Sequence, residues 1–297
     1  MEMAKDLDAE KAQLQAVARL HAASGRQTAY GEHADQVLEL HGSPSTAKRC
    51  LVFLHGGYFR QAYDRSHLRP MADALAQRGA LVILPEYRRA GGAGGPPRTL
   101  DDVTAAIACV FRSMPDWSTS AQAMARVTVA GHSAGGCLAL SWASRQPADG
   151  PRVSLRPLSP ITDLVREVNQ GLFDGAVLDY MGARPQDDLK AYLAEDPRSR
   201  VACIPERISV RVLHGTDDGI VDIGFSRDFP AERIELVDER VLSAPDGDTE
   251  LDGDEDDVRH VRYFYEGGIA DFVKHINARS KSGPVHSNVI EYGTEDT

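Results

Sequence analysis

Arg126-Val-Thr-Val-Ala-Gly-His-Ser-Ala-Gly-Gly136 is the stretch from which the fold can be read. Val127, Val129 and Ala130 are apolar and suit a buried strand. Gly131-His-Ser-Ala-Gly135 fits G-x-S-x-G, a strand, a sharp turn and the start of a helix with a serine at the tip. A side chain at Gly131 or Gly135 would collide with the neighbouring strand or helix, and Ser133 itself must hold a strained backbone conformation. The run from Gly136 to Ser144 has helical spacing at Leu138, Trp142 and Ala143. The helix N-terminus therefore points at Ser133, where its free N–H groups favour negative charge. Ser133 is a candidate nucleophile.

Upstream, Cys50-Leu-Val-Phe-Leu54 is a continuous apolar run, as expected of a parallel strand covered on both faces. It ends in His55-Gly56-Gly57-Tyr58-Phe59. Paired glycines after such a strand let backbone N–H groups converge on a small anion, and the residue after the serine, Ala134, would complete that oxyanion hole. Downstream, Ile208–Leu213 reads as a strand running into His214-Gly-Thr-Asp-Asp218. A carboxylate just past a strand end is where a triad acid sits. Asp218 is the first choice and Asp217 the reserve.

The rest of the chain fills in around these three signals. An amphipathic helix is expected over Asp6–Ala23 and a strand over Asp35–His41, with Leu38 and Leu40 on one face and Val37 and Glu39 on the other. His67–Arg78 reads as a helix, Ala80–Leu84 as a buried strand and Ala90–Pro97 as a loop. Leu100–Phe111 reads as a helix capped by Thr99 or Asp101, and Val153–Leu158 as a strand. Val165–Ile204 lacks strand character and is expected to form a few short helices over the site. Strands alternating with helices imply a mostly parallel sheet flanked by helices.

The chain has 297 residues, 42% of them hydrophobic, enough for one large α/β domain or two smaller units. Its net charge of −11 argues against nucleic acid and against an anionic membrane surface as partners. Cys50, Cys109, Cys137 and Cys203 follow no C-x-x-C spacing, so neither a disulfide framework nor a zinc site is suggested, and the first three lie in apolar runs. No apolar signal region and no run of transmembrane length is present, which sets a cytoplasmic expectation. A homodimer is left open.

After about Phe225 the character changes. Glu232–Asp238 and Val258–Tyr265 alternate as strands do, and the acidic run Asp246–Asp257 lies between them. That pattern suggests an antiparallel hairpin rather than a further β-α-β unit, followed by a helix over Ile269–Arg279 and a polar tail.

Residues 1–225 resemble the α/β-hydrolase superfamily, and within it the kynurenine formamidase and carboxylesterase group that carries H-G-G-x-W. The matching segments are His55-Gly-Gly-Tyr-Phe59, Leu84-Pro-Glu-Tyr-Arg88, Gly131-His-Ser-Ala-Gly-Gly136, Ser159-Pro-Ile-Thr-Asp-Leu164 and His214-Gly-Thr-Asp-Asp218. Phe59 stands where tryptophan is usual. The resemblance implies an α/β-hydrolase fold; the residue pattern above adds a small helical cap at about 165–205 and an N-terminal helix at 1–25. It implies Ser133 as nucleophile, Asp218 as acid, the Gly57, Tyr58 and Ala134 amides as oxyanion hole, and His55, Gly56, Gly131 and Gly135 as motif support. The reaction implied is hydrolysis of a small ester or an aryl formamide through a Ser133 acyl-enzyme, with no cofactor and no metal. In such relatives a histidine follows the last strand in a G-x-x-H-F setting. Here Gly268-Ile-Ala-Asp-Phe272 puts Asp271 at that position, and His275 comes one helical turn later, roughly 6 Å along the axis. His275 is the candidate base, ahead of His260 and His286.

Residues 226–297 resemble a different family. Ile234-Glu-Leu-Val-Asp-Glu-Arg240, Tyr265-Glu-Gly-Gly-Ile-Ala-Asp-Phe-Val-Lys-His-Ile-Asn277 and Pro284-Val-His-Ser-Asn288 look like the ATPase subunit of bacterial gyrase, near the end of its ATP-binding domain. That family's phosphate-binding glycines and catalytic glutamate have no counterpart here, so neither ATP binding nor DNA work is expected. The alternative to hydrolysis is an α/β-hydrolase-fold protein with an incomplete triad, acting as a small-molecule binder or interaction module.

Overall fold

The apolar runs become the inner strands of one sheet. The computed structural model describes residues 25–215, 218–229 and 234–237, together with residue 12. The strands are β1 (Arg26–Ala29), β2 (Val37–His41), β3 (Arg49–Leu54), β4 (Ala80–Pro85), β5 (Val127–His132), β6 (Val153–Leu158), β7 (Ile208–Leu213) and β8 (Ile234–Val237). They form an 8-stranded sheet in the order β1-β2-β4-β3-β5-β6-β7-β8. β1, β2 and β4 pair antiparallel in turn at one edge, and every other pairing is parallel.

Alternation along β3 feeds two cores. Val52 and Leu54 join Ile83, Val129 and the helices α2 (Arg98–Ser113), α3 (Ala121–Met124) and α4 (Ala134–Ala143) on one face. Leu51 and Phe53 join Val82, Leu84 and α1 (Arg69–Gln77) on the other. Helices therefore cover both faces, as a mainly parallel sheet requires. Among the described residues no helix is long and apolar enough to cross a membrane.

Several details differ from the sequence reading. Thr99 and Asp101 do not cap α2; Pro97 is at the N-cap with no side-chain bond, and Thr99 Oγ1 instead donates to the Arg88 carbonyl and accepts from the Gly95 amide. Glu39, on the face opposite Leu38 and Leu40, is fully buried. Arg69 Nε donates to it at 2.7 Å and Arg65 Nε at 2.9 Å, and His41 Nε2 lies 3.1 Å away. Burial alone would raise its pKa, but the His41 and Arg69 bonds outweigh that and hold the carboxylate ionised well below the usual range. Ile234–Val237 enters in parallel with β7, after the short helix α9 (Gly224–Arg227), and so adds a β-α-β step where a hairpin arm was expected. The second arm, 258–265, the helix 269–279 and the amphipathic segment 6–23 lie outside the described residues, apart from residue 12. Cys50 and Cys137 are buried as expected, Cys109 is half-buried and Cys203 exposed.

Between β6 and β7 the chain forms only short helices, as expected. They are α5 (Leu164–Gln170), a 3-10 turn over Phe173–Gly175, α6 (Ala176–Met181), α7 (Leu189–Glu195) and α8 (Pro197–Arg200). Not all of this segment is a cap. α8 packs on α4, and Ser141 Oγ of α4 donates to the Glu195 carbonyl at 2.6 Å, so its second half is ordinary flanking structure. The first half turns to the carboxyl edge of the sheet.

Candidate active site

Parallel register brings the ends of the central strands level. Leu54 is opposite Gly131, His132 opposite Leu158, and Leu158 opposite Leu213. The loops after β3, β5, β6 and β7 thus leave the sheet side by side. Two further bonds extend the ladder past the strand ends: Ser133 N donates to the Leu158 carbonyl at 2.9 Å, and Ser159 N to the Leu213 carbonyl at 2.8 Å.

Ser133 is the N-cap of α4 at φ 52° and ψ −114°, outside the ordinary regions for a residue with a side chain. Such a conformation costs on the order of 1–3 kcal/mol and persists only where the surroundings enforce it. Here the enforcement is close packing of backbone on backbone. A methyl group at Gly135 would lie 2.3 Å from both the Leu54 and His55 carbonyl oxygens, so α4 can rest against β3 only with hydrogen at that point. The Ser133 amide is spent on Leu158. The Ala134 amide opens the first turn of α4 and has no carbonyl behind it within the helix.

The turn after β3 has unusual geometry as well. Gly57 has φ +111°, and Tyr58 and Phe59 follow at 58° and 56°, left-handed values rare for bulky residues. His55 is the pillar beneath it. Its side chain is fully buried, Nδ1 donates to the Gly56 carbonyl at 2.6 Å, and Nε2 lies 2.9 Å from Glu86 Oε1. The ring stacks on Tyr87 at 4.4 Å between centroids, and Tyr87 Oη donates to the His55 carbonyl at 2.6 Å. Burial, and then the Arg89 guanidinium beside it, push the His55 pKa down to about 3. With both ring nitrogens committed, His55 shapes the turn and is not placed to accept a proton from Ser133.

Asp218 follows β7 as expected. Its Oδ1 accepts from the Ile220 amide at 3.0 Å and the Val221 amide at 2.9 Å, which fixes the carboxylate in its loop. Oδ2 is 3.5 Å from His214 Nε2. That histidine is also committed: Nε2 donates to the Val221 carbonyl at 2.7 Å, and Nδ1 is 2.6 Å from Ser226 Oγ. Asp217 and His275, like His260 and His286, lie outside the described residues. Ser133, Gly56, Gly57, Tyr58 and Ala134 are brought together at the strand ends, with Asp218 in the loop after β7. Among the described residues no cluster of His, Cys, Asp or Glu is arranged to hold a metal ion.

Phe173 and Asp174 have left-handed φ of 49° and 55°, and Gly175 continues at 69°. Phe173 is buried near Phe225, with centroids 6.3 Å apart. Phe59 of the turn after β3 stacks on Tyr180 of α6 at 4.4 Å. Deeper in this unit, Glu167 of α5 is fully buried, and neither carboxyl oxygen has a hydrogen-bond partner among the described residues. The Val177 backbone N–H acts on it without completing a well-formed bond. Burial pushes its pKa up to about 8, so it is an uncharged acid at neutral pH.

A pH dependence follows from Glu167. Its pKa is near 4.5 unfolded and about 8 folded, so between those values the folded state holds the extra proton. Its full contribution to stability is present below pH 4.5 and is lost as pH rises through 8. Glu167→Gln carries no such penalty. The stability gap between the variant and the wild type should therefore widen from pH 5 to 8, by about 3–4 kcal/mol, and level off above. Thermal unfolding of both proteins across that range measures it.

Glu86 and Tyr87 were legible only as part of a matching segment, although a charged residue immediately after a buried strand is itself a signal. Nothing in the sequence singles out Arg60 or Glu167.

The comparisons agree with this geometry. A family profile described as the alpha/beta hydrolase fold matches residues 51–210, more than half of the chain. Esterase B from Lactobacillus rhamnosis superimposes with a TM-score of 0.60 at 18% identity, covering 80% of this chain and 82% of that one. Thermogutta terrifontis esterase 2, in a form phosphonylated by sarin, gives 0.54 at 19% identity over 72% and 83%. At such identities the likeness is one of fold. The gyrase resemblance recurs as short matches, among them 52% identity over 42 residues with the novobiocin-sensitive DNA gyrase of Streptomyces niveus. The chain spans only 6% to 10% of the length of the curated gyrase relatives it matches. The profile match, the parallel sheet and the strained serine between β5 and α4 agree: the chain belongs to the alpha/beta hydrolase fold family.

Proposed function

We propose that the protein is a serine hydrolase that cleaves a small ester or an aryl formamide through an acyl-enzyme at Ser133. The observation that carries this reading is Ser133 at φ 52°, held between β5 and the start of α4 beside the Gly56-Gly57 turn. Ser133 Oγ attacks the substrate carbonyl and passes its proton to the base. The carbonyl oxygen takes up the negative charge, and the Gly57, Tyr58 and Ala134 amides bind it. The tetrahedral species expels the alcohol or arylamine, which takes the proton back. Water, deprotonated by the same base, then releases the carboxylic acid or formate and frees the serine. Asp218 orients the base, which in this reading is His275. The likeness to kynurenine formamidases favours a compact aromatic amide, and the net charge of −11 weighs against nucleic acid or an anionic membrane as the target.

Incubation with a fluorophosphonate, followed by mass spectrometry of the peptide containing Ser133, tests this. The reading expects one adduct on Ser133 and none in Ser133→Ala. Absence of labelling in the wild type would sink it and favour the second reading, a hydrolase fold that binds without cleaving. One observation favours that alternative: His55 and His214, the histidines of the loops after β3 and β7, are both committed elsewhere, so neither can serve as the base.

A further inference from the structure

Arg60 immediately follows the oxyanion turn and reaches across to the first half of the segment between β6 and β7. Its Nη2 donates to the Asp174 carbonyl at 2.6 Å and to Asp179 Oδ2 at 2.7 Å, Nε donates to Asp179 Oδ2 at 3.1 Å, and Nη1 to Asp174 Oδ2 at 3.3 Å. The Arg60 side chain is 22% exposed, and those of Asp174 and Asp179 are 64% and 57% exposed. A single ion pair this exposed would matter little. This one differs in geometry: the planar fork engages two carboxylates and a backbone carbonyl at once. That carbonyl belongs to Asp174, the middle of the left-handed run Phe173-Asp174-Gly175. Next to it, Phe59 stacks on Tyr180.

On the other side, Arg60 N donates to the Gly57 carbonyl at 3.0 Å, which closes the turn that carries the Gly57 and Tyr58 amides. Two strained segments, 57–59 and 173–175, are therefore held against each other through one side chain. Neither lies in a long regular element that would impose its conformation.

We infer that Arg60 is a positioning residue for the reaction: it locks the cap segment onto the oxyanion turn, so that the placement of 173–179 sets the direction of the Gly57 and Tyr58 amides. The inference rests on the proposed hydrolase reading. Arg60 touches no reacting atom. It acts through the turn, and misdirected amides would weaken binding of the oxyanion more than binding of the uncharged substrate.

Three variants test the coupling in the full-length chain: Arg60→Gln, Arg60→Lys, and the double change Asp174→Asn with Asp179→Asn. The last breaks the tie from the cap side and leaves the turn's sequence intact. The readouts are the second-order rate of fluorophosphonate labelling, kcat and KM for p-nitrophenyl acetate, and the melting temperature. Arg60→Gln and the double variant should each lose roughly 30-fold in labelling rate and in kcat with KM little changed, the size expected when a catalytic group is displaced by less than about 1 Å. Arg60→Lys, which keeps the charge and can reach Asp179, should recover part of the loss. If the wild type fails to label, the hydrolase reading falls and the inference with it. If the wild type labels and the variants, still folded, label equally fast, the coupling alone is wrong. A loss confined to KM, or one that tracks the melting temperature with no recovery in Arg60→Lys, would reduce Arg60 to a structural tie and also overturn the inference.

Discussion

Ser133→Ala should lower hydrolysis of p-nitrophenyl acetate by a factor on the order of 10⁶, and His275→Ala by about as much. A serine hydroxyl at neutral pH is a weak nucleophile until a base takes its proton, so on the proposed reading, with His275 as that base, removing either group removes the same step. The double variant should then be no slower than either single one, because the members of a triad act as a unit. What remains, roughly 10³–10⁴ over water, comes from the oxyanion amides and binding. Stability should hardly change in Ser133→Ala. Ser133 is tied to its surroundings by its backbone, N to the Leu158 carbonyl and the carbonyl to the Cys137 amide, and alanine keeps both bonds. Rates for both substrates, the ester and an N-formylaniline, and a melting curve for each variant provide the check. If Ser133→Ala abolishes turnover and His275→Ala does not, the base is another histidine. If the wild type itself barely exceeds background, the site binds without cleaving.

Gly135→Ala should be the opposite kind of lesion, damaging fold and rate together. The added carbon would stand 2.3 Å from two carbonyl oxygens, those of Leu54 and His55. Both are backbone atoms, so no rotamer change relieves the contact. α4 must move away from β3, in a helix whose every residue is buried. A cost of about 4 kcal/mol is expected, above the usual range for overpacking because backbone must shift. In a domain of this size that lowers the melting temperature by roughly 10 °C. Ala134 moves with the helix, so the labelling rate of the surviving folded protein should fall too. Thermal melts and fluorophosphonate labelling, compared with Ser133→Ala, separate the two kinds of damage.

The inner strands were legible because both of their faces are covered. Cys50–Leu54 and Ala80–Leu84 read as unbroken apolar runs, and β3 and β4 fall on them almost residue for residue. The elbow was legible because glycine is demanded there by sterics alone. β1 was invisible for the converse reason: Arg26-Gln-Thr-Ala29 is a mostly exposed edge strand, held by backbone bonds to β2, which leave no mark on the side chains. Alternation put Glu39 on the face opposite Leu38 and Leu40 without showing that this face is covered too; Arg65, Arg69 and His41, brought in by the turn of the chain, make burial of the charge tolerable. The site was half legible. Motifs announce groups that must be adjacent in sequence, such as Gly131, Ser133 and Gly135. They do not announce Arg60 bound to Asp179, a contact made across more than a hundred residues of chain. His55 was legible as the first residue of its motif, but its role as a buried pillar depends on Glu86 and Tyr87, which only the fold assembles.

β8 raises a question of ancestry. Ile234–Val237 falls in the stretch that resembles gyrase, yet it lies beside β7 with Val210 opposite Ile234 and Leu213 opposite Val237. A parallel ladder is written in N–H and C=O groups, which every residue but proline carries in full. An open sheet margin therefore does not test the pedigree of the strand that settles on it; it asks only for an extended backbone of a few residues. A genome that splices an unrelated coding segment behind the last helix of such a sheet supplies it with a strand at once. Junctions of this kind can survive where one through β5 would not, because the margin accepts by geometry and the interior by identity.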